Sequence, residues 1–177
     1  PKYRTIVDAG ANIGLFALLA CRTAPEARLW CVEAFPPTYE RLVRHLRENG
    51  VEDRVRALNV ALAAEDGSRE MIVDSAKSPD RQLALLDSQR AAGGVHVAAR
   101  TLASVLSDIP VDEIDYLKMD IEGAEHETLH AASRETLRRF RRMDIEVHEV
   151  NAALSASPER LFAHLRSAGF EAGPWVP

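Results

Sequence analysis

A chain that runs Thr5-Ile6-Val7-Asp8-Ala9-Gly10-Ala11-Asn12-Ile13-Gly14 has few folds open to it. A short apolar run with β-branched residues ends on an acid, and two glycines four residues apart follow at once. An apolar stretch of helical period then takes over through Ile13, Phe16, Ala17 and Ala20. Strand, tight glycine turn and helix in that order make a β–α unit. In open α/β sheets such a turn brings bare backbone against a ligand at the carboxyl end of the first strand. Glu33 strengthens the reading. It ends the next apolar run (Leu29, Trp30, Cys31, Val32), 25 residues beyond Asp8, where a carboxylate can accept hydrogen bonds from a ribose.

The rest of the chain continues the alternation. Strands are expected at about Thr5–Asp8, Arg28–Glu33, Val55–Ala61, Asp115–Asp120 and Met143–Val147, with helices between them. The first helix is expected from near Asn12, and a second opens at Pro36-Pro37 and closes at Asn49-Gly50. Thr101 and Ser133 read as helix caps, and Ser157-Pro158-Glu159 starts the last helix. A side excursion is expected after Asp66-Gly67, with strands at Arg69–Val73 and Val95–Ala99. The polar stretch 75–94 between them reads as a lid over a substrate. The fold class is therefore α/β, a Rossmann-like, doubly wound and mostly parallel sheet.

At 177 residues, 46% hydrophobic and 28% charged, the chain suits one globular domain with a real core. A net charge of −5 gives no general attraction to nucleic acid or to anionic lipid, so neither is an expected partner. The basic group Arg138, Arg139, Arg141 and Arg142 reads as a solvated helix end. Cys21 and Cys31 read as small buried hydrophobes in a reducing compartment, and no run approaches the roughly 18 apolar residues of a membrane span. A cytoplasmic location is expected.

The glycine turn fits a nicotinamide dinucleotide poorly. A pyrophosphate needs crowded backbone amides, whereas here an acid, Asp8, precedes Gly10 by two residues and repels phosphate. An acid suits an adenosine ligand with a positive centre, and S-adenosyl-L-methionine is that ligand. Asp8 is expected to steer its cationic end and Glu33 to hold its ribose. A second cluster, Lys118-Met119-Asp120-Ile121-Glu122-Gly123-Ala124-Glu125, ends a buried strand with three carboxylates, more than a helix dipole alone requires.

Together these stretches resemble the FkbM family of class I S-adenosylmethionine-dependent methyltransferases. The resemblance rests on VDAGANIG at 7–14, VEAFPPTYERL at 32–42, NVAL at 59–62, LKMDIEGAEHETL at 117–129 and DIEVHE at 144–149. It implies methyl transfer, typically to a hydroxyl of a small molecule or sugar. It also implies a methionine-side loop of Asp8, Gly10, Asn12 and Gly14, a ribose acid at Glu33, and an adenine site lined by Phe35, Asn59 and Ala61. Asp120 is implied to stand beside the sulfonium and the acceptor. A full class I sheet has two more strands than follow the last helix here. A single domain over 1–177, lacking terminal regions at one or both ends, is therefore expected.

Methyl transfer to a hydroxyl benefits from a general base. Asp120 and His148 end neighbouring strands and are the two candidates, with Glu122 and Glu149 tuning or replacing them. No resident metal is expected, although Asp120, Glu122 and His148 have donor types that suit a divalent cation. Two alternatives stand beside this reading. His126-Glu127-Thr128-Leu129-His130 matches H-E-x-x-H on a helix, the pattern of zinc peptidases. The other is a Rossmann-like domain that binds its cofactor without chemistry.

Overall fold

The computed structural model describes residues 3–73, 83–85, 94–148, 158–171 and 173. Its centre is a five-stranded parallel sheet in the order β3-β2-β1-β8-β9. The strands are β1 (Thr5–Ala9), β2 (Arg28–Val32), β3 (Val55–Leu58), β8 (Tyr116–Met119) and β9 (Met143–Ile145). The chain moves outward from β1 through β2 to β3, then returns to lay β8 on the opposite side of β1. That reversal makes the β1/β8 boundary the switch point of the sheet, where ligands of open α/β folds bind.

Side-chain alternation along the strands divides the core in two, because successive residues point to opposite faces. Ile6, Leu29 and Cys31 pack with Ala17, Ala20, Leu42 and Leu46 of α1 (Leu15–Thr23) and α2 (Pro36–Glu48). Val7, Ala9, Trp30, Leu117 and Met119 pack on the other face with α3 (Leu102–Leu106), α4 (Glu125–Ala131), α5 (Arg134–Arg138) and α6 (Pro158–Ser167). The sheet is doubly wound, and its central strands are apolar on both sides for that reason. Thr101 and Ser133 cap α3 and α5 by accepting the Ser104 and Thr136 amides, contacts worth about 1 kcal/mol each. Among the described residues no helix is long and apolar enough to cross a membrane.

Two boundaries differ from expectation by more than two residues. The first helix starts at Leu15 rather than near Asn12, because Asn12 and Gly14 both adopt left-handed backbone angles (φ 49° and 91°) that a helix cannot contain. The expected third strand, Val55–Ala61, is two. It leaves the main sheet at Leu58, and β4 (Ala61–Leu62) pairs instead with β7 (Val95–Arg100) in a second, four-stranded sheet with β5 (Gly67–Val73) and β6 (Leu83–Leu85). The expected lid lies outside the described residues except for β6 and Gly94, and Glu149 lies outside them altogether.

Candidate active site

The β1–α1 and β8–α4 turns meet at the switch point with no room between them. Gly10 (φ 77°) donates its amide to the Val32 carbonyl at 2.9 Å, and a Cβ there would lie 1.7 Å from the Asp120 carbonyl oxygen. Asp120 in turn donates its amide to the Ala9 carbonyl at 3.0 Å. Gly14 has a different reason to be glycine: its Cβ would come within 2.7 Å of Leu42 Cδ1, where α1 meets α2. Above the first contact opens a cleft. Gly10 forms its floor, Val32, Glu33 and Ala34 one wall, Val60, Ala61 and Leu62 a second, and Asp120, Ile121 and Glu122 the third.

Glu33 is buried and ties two turns together. One carboxylate oxygen accepts the Asn12 amide and the other the Phe35 amide, each at 2.9 Å. Burial pushes its pKa up, and those backbone donors oppose the rise. Each oxygen keeps a further lone pair for a ligand hydroxyl. The Asn59 side chain donates to the carbonyls of Glu33 (2.8 Å) and Ala34 (3.0 Å), which turns the chain out of β3. Asn59 thus shapes the cleft wall rather than facing the cleft. Phe35 packs with Ala61, Met71 and Val97 behind that wall, and Ala61 itself lines it.

Asp8 does not face the cleft. It is fully buried on the α1 side of the sheet, opposite Lys118 in the strand register, and its Oδ1 lies 3.7 Å from Lys118 Nζ. Burial raises its pKa to about 6, with Lys118 pulling the other way. Lys118 also donates to the Gly10 carbonyl at 3.0 Å and reaches Asp120 Oδ2 at 3.4 Å. Lys118 thus bridges the buried Asp8 carboxylate and Asp120, which lines the cleft.

On the far side of Asp120 stands His148. Its Nδ1 lies 3.0 Å from Oε1 of the buried Glu125, and its Nε2 faces Glu122 Oε2 (3.6 Å), Asp120 Oδ1 (3.9 Å) and Glu146 Oε1 (3.9 Å). Burial alone lowers the His148 pKa, but the carboxylates of Glu125, Glu122 and Asp120 outweigh it and hold the pKa above the ordinary histidine value. Ligand-type atoms of Asp120, Glu146 and His148 lie within 4.8 Å of one another, a spacing that could accommodate a cation. Among the described residues no third His, Cys, Asp or Glu ligand atom converges with His126 and His130 in this way. His126 is buried with both ring nitrogens unpartnered, and the His130 ring lies 5.1 Å from that of His164 of α6, tilted by 51°. Among the described residues the peptidase reading of this helix thus lacks a third ligand.

The family model for the Methyltransferase FkbM domain matches residues 8–172. The chain belongs to the FkbM methyltransferase family. It is 29% identical to "Methyltransferase sdnD" of Sordaria araneosa over 100% of this chain and 79% of that protein. It is also 29% identical to "2-O-methyltransferase NoeI" of Sinorhizobium fredii, over 77% of this chain and 60% of NoeI. The solved structure of "Methyltransferase FkbM" from Methylobacillus flagellatus superposes with a TM-score of 0.52 at 20% identity, over 77% of this chain and 31% of that one. The chain thus spans from 31% to 79% of the length of these proteins, and the likeness in structure establishes a Rossmann-like fold.

Of the residues singled out in the sequence, the FkbM fold brings Gly10, Glu33, Ala61, Asp120 and Glu122 to one cleft, with His148 beside Asp120. Asn12 contributes its backbone amide, while Asp8, Gly14, Phe35 and Asn59 support the cleft from behind. Two residues had no assigned role. Lys118 is signalled by a cation within the apolar run of β8, and Glu125 by being a third acid where two suffice for a helix start.

Proposed function

We propose that this FkbM-family chain transfers a methyl group from S-adenosyl-L-methionine to a hydroxyl of a small-molecule or sugar acceptor. The observation that carries the reading is the charge around the cleft. Glu33, Asp120 and Glu122 line it, and the nearby cations Lys118 and His148 each stand against further carboxylates behind it, Asp8 for Lys118 and Glu125 and Glu146 for His148. Such a site favours a cationic ligand and repels a diphosphate. Gly10 leaves the floor bare for close approach, and Glu33 lines the same cleft with a carboxylate that can accept from a ribose diol. Val60, Ala61 and Leu62 offer an apolar wall for a purine.

When bound, the cofactor supplies an electrophilic methyl group on a positively charged sulfur. The chain's own task is to hold the acceptor oxygen in line and to take its proton. Asp120 and His148 stand where that proton leaves, and Asp120 is already engaged by Lys118. The Sinorhizobium relative is a 2-O-methyltransferase by name, which favours oxygen as the accepting atom.

Calorimetry with S-adenosylhomocysteine and with NADH tests the cofactor half of the reading. S-adenosylhomocysteine should bind with one-to-one stoichiometry and NADH should give no heat. Binding of NADH with no response to S-adenosylhomocysteine would overturn it. Methyl transfer from labelled cofactor to a panel of sugars and hydroxylated small molecules tests the second half. Labelling confined to amine or carbon acceptors would refute the oxygen assignment.

A further inference from the structure

We infer that Glu125 is a positioning residue that fixes His148 in the one tautomer able to accept the acceptor hydroxyl's proton. The inference rests on the methyl-transfer reading above and selects between the two bases that the sequence leaves open. Glu125 is 0% exposed and opens α4. Its Oε1 accepts the Ile121 amide and its Oε2 the Gly123 amide, both at 2.9 Å, so the carboxylate cannot turn. The same Oε1 lies 3.0 Å from His148 Nδ1. A carboxylate in this setting only accepts, so Nδ1 carries the ring proton and Nε2 keeps its lone pair.

That lone pair is aimed at the acid side of the cleft. Asp120, Glu122 and Glu146 face Nε2 at 3.6–3.9 Å, too far for hydrogen bonds. The step is a simple proton transfer: the acceptor O–H bond breaks, its proton forms an N–H bond with the Nε2 lone pair, and the imidazolium is held between Glu125 and the three flanking carboxylates. His148, about a quarter exposed, can then return the proton to water. Asp120 is the less available of the two, because its Oδ2 is already engaged by Lys118 Nζ at 3.4 Å. Among the described residues the charged groups that face the His148 ring are Glu125 of α4, Asp120 and Glu122 of the β8–α4 turn, and Glu146 after β9, with Lys118 of β8 behind Asp120.

The tautomer can be read without knowing the acceptor. Long-range proton–nitrogen spectra of the full 177-residue chain, with His148→Ala identifying its signal among the six histidines, should show neutral His148 protonated on Nδ1. In Glu125→Gln the Nε2–H form should appear, and the titration midpoint of His148 should fall by about one pH unit. Affinity for S-adenosylhomocysteine should stay within about threefold, since Glu125 does not line the cleft. Neutral His148 protonated on Nε2 in the unmodified chain would overturn the inference, whatever the variant does. So would an unchanged tautomer in a folded Glu125→Gln, or stoichiometric Mn2+ seated on Nε2. Failure of S-adenosylhomocysteine to bind the unmodified chain, with the tautomer as described, would sink the methyl-transfer reading alone.

Discussion

A methyl group added at Gly10 would sit 1.7 Å from the Asp120 carbonyl oxygen, on a backbone whose φ is +77°. Two separate costs follow. The left-handed conformation costs an alanine about 1 kcal/mol, and forcing two packed turns apart adds about 1–3 kcal/mol. Gly50 isolates the first cost, because it has a φ of +63° and a Cβ there meets nothing within 4 Å. Gly10→Ala should therefore lose about 2–4 kcal/mol of stability in urea unfolding, and Gly50→Ala about 1 kcal/mol. Only the Gly10 change should also abolish binding of S-adenosylhomocysteine, since it moves Asp120. Equal losses from the two substitutions would mean that the contact between the turns carries no strain.

The β3-to-β4 turn shows how one side chain redirects an element. The run from Val55 to Leu62 contains no glycine or proline, so nothing local announces a break. The break comes from Asn59, whose amide donates to two carbonyls of the β2–α2 turn, a segment 25 and 26 residues away. Asn59→Ala leaves both carbonyls short of a donor and should cost about 1–3 kcal/mol. Asn59→Asp should be no better, because a carboxylate cannot donate. Thermal unfolding of the two variants, with a several-fold weaker affinity for S-adenosylhomocysteine in each, checks this. A stable Asn59→Asp would show that shape rather than donation matters.

The same contrast sets what the sequence discloses. Strand and helix positions were legible from periodicity, and Thr101 and Ser133 from cap chemistry, because those signals lie within one turn or one strand. Glu33 and Asp120 were legible as strand-ending acids. The Asp8–Lys118 pair was not, since only the β1–β8 register brings residues 110 apart into contact. The link from Glu125 to His148 was hidden in the same way, because locally Glu125 looks like any acid in a first helical turn.

At the scale of the whole molecule, carboxylates pull the pH dependence of stability in opposite directions. Asp66, Asp108, Asp115 and Asp144 have lowered pKa values, from backbone donors, Arg100, Arg141, Arg142 and Tyr116, so the stability they contribute is lost as pH falls. Asp8 works the other way. Its pKa rises from 3.8 unfolded to about 6 folded, so its contribution is complete below the lower value and is lost as pH climbs through the upper one. For a fully buried group that difference corresponds to about 3 kcal/mol. Asp8→Asn keeps the shape and removes the titration, while Lys118 retains the Gly10 carbonyl and Asp120. Unfolding free energies measured across this range should therefore show the variant gaining on the unmodified chain by up to about 3 kcal/mol between about pH 4 and about pH 7. A constant difference across that range would mean that Lys118 holds Asp8 ionised throughout, and that the burial of this carboxylate is fully compensated.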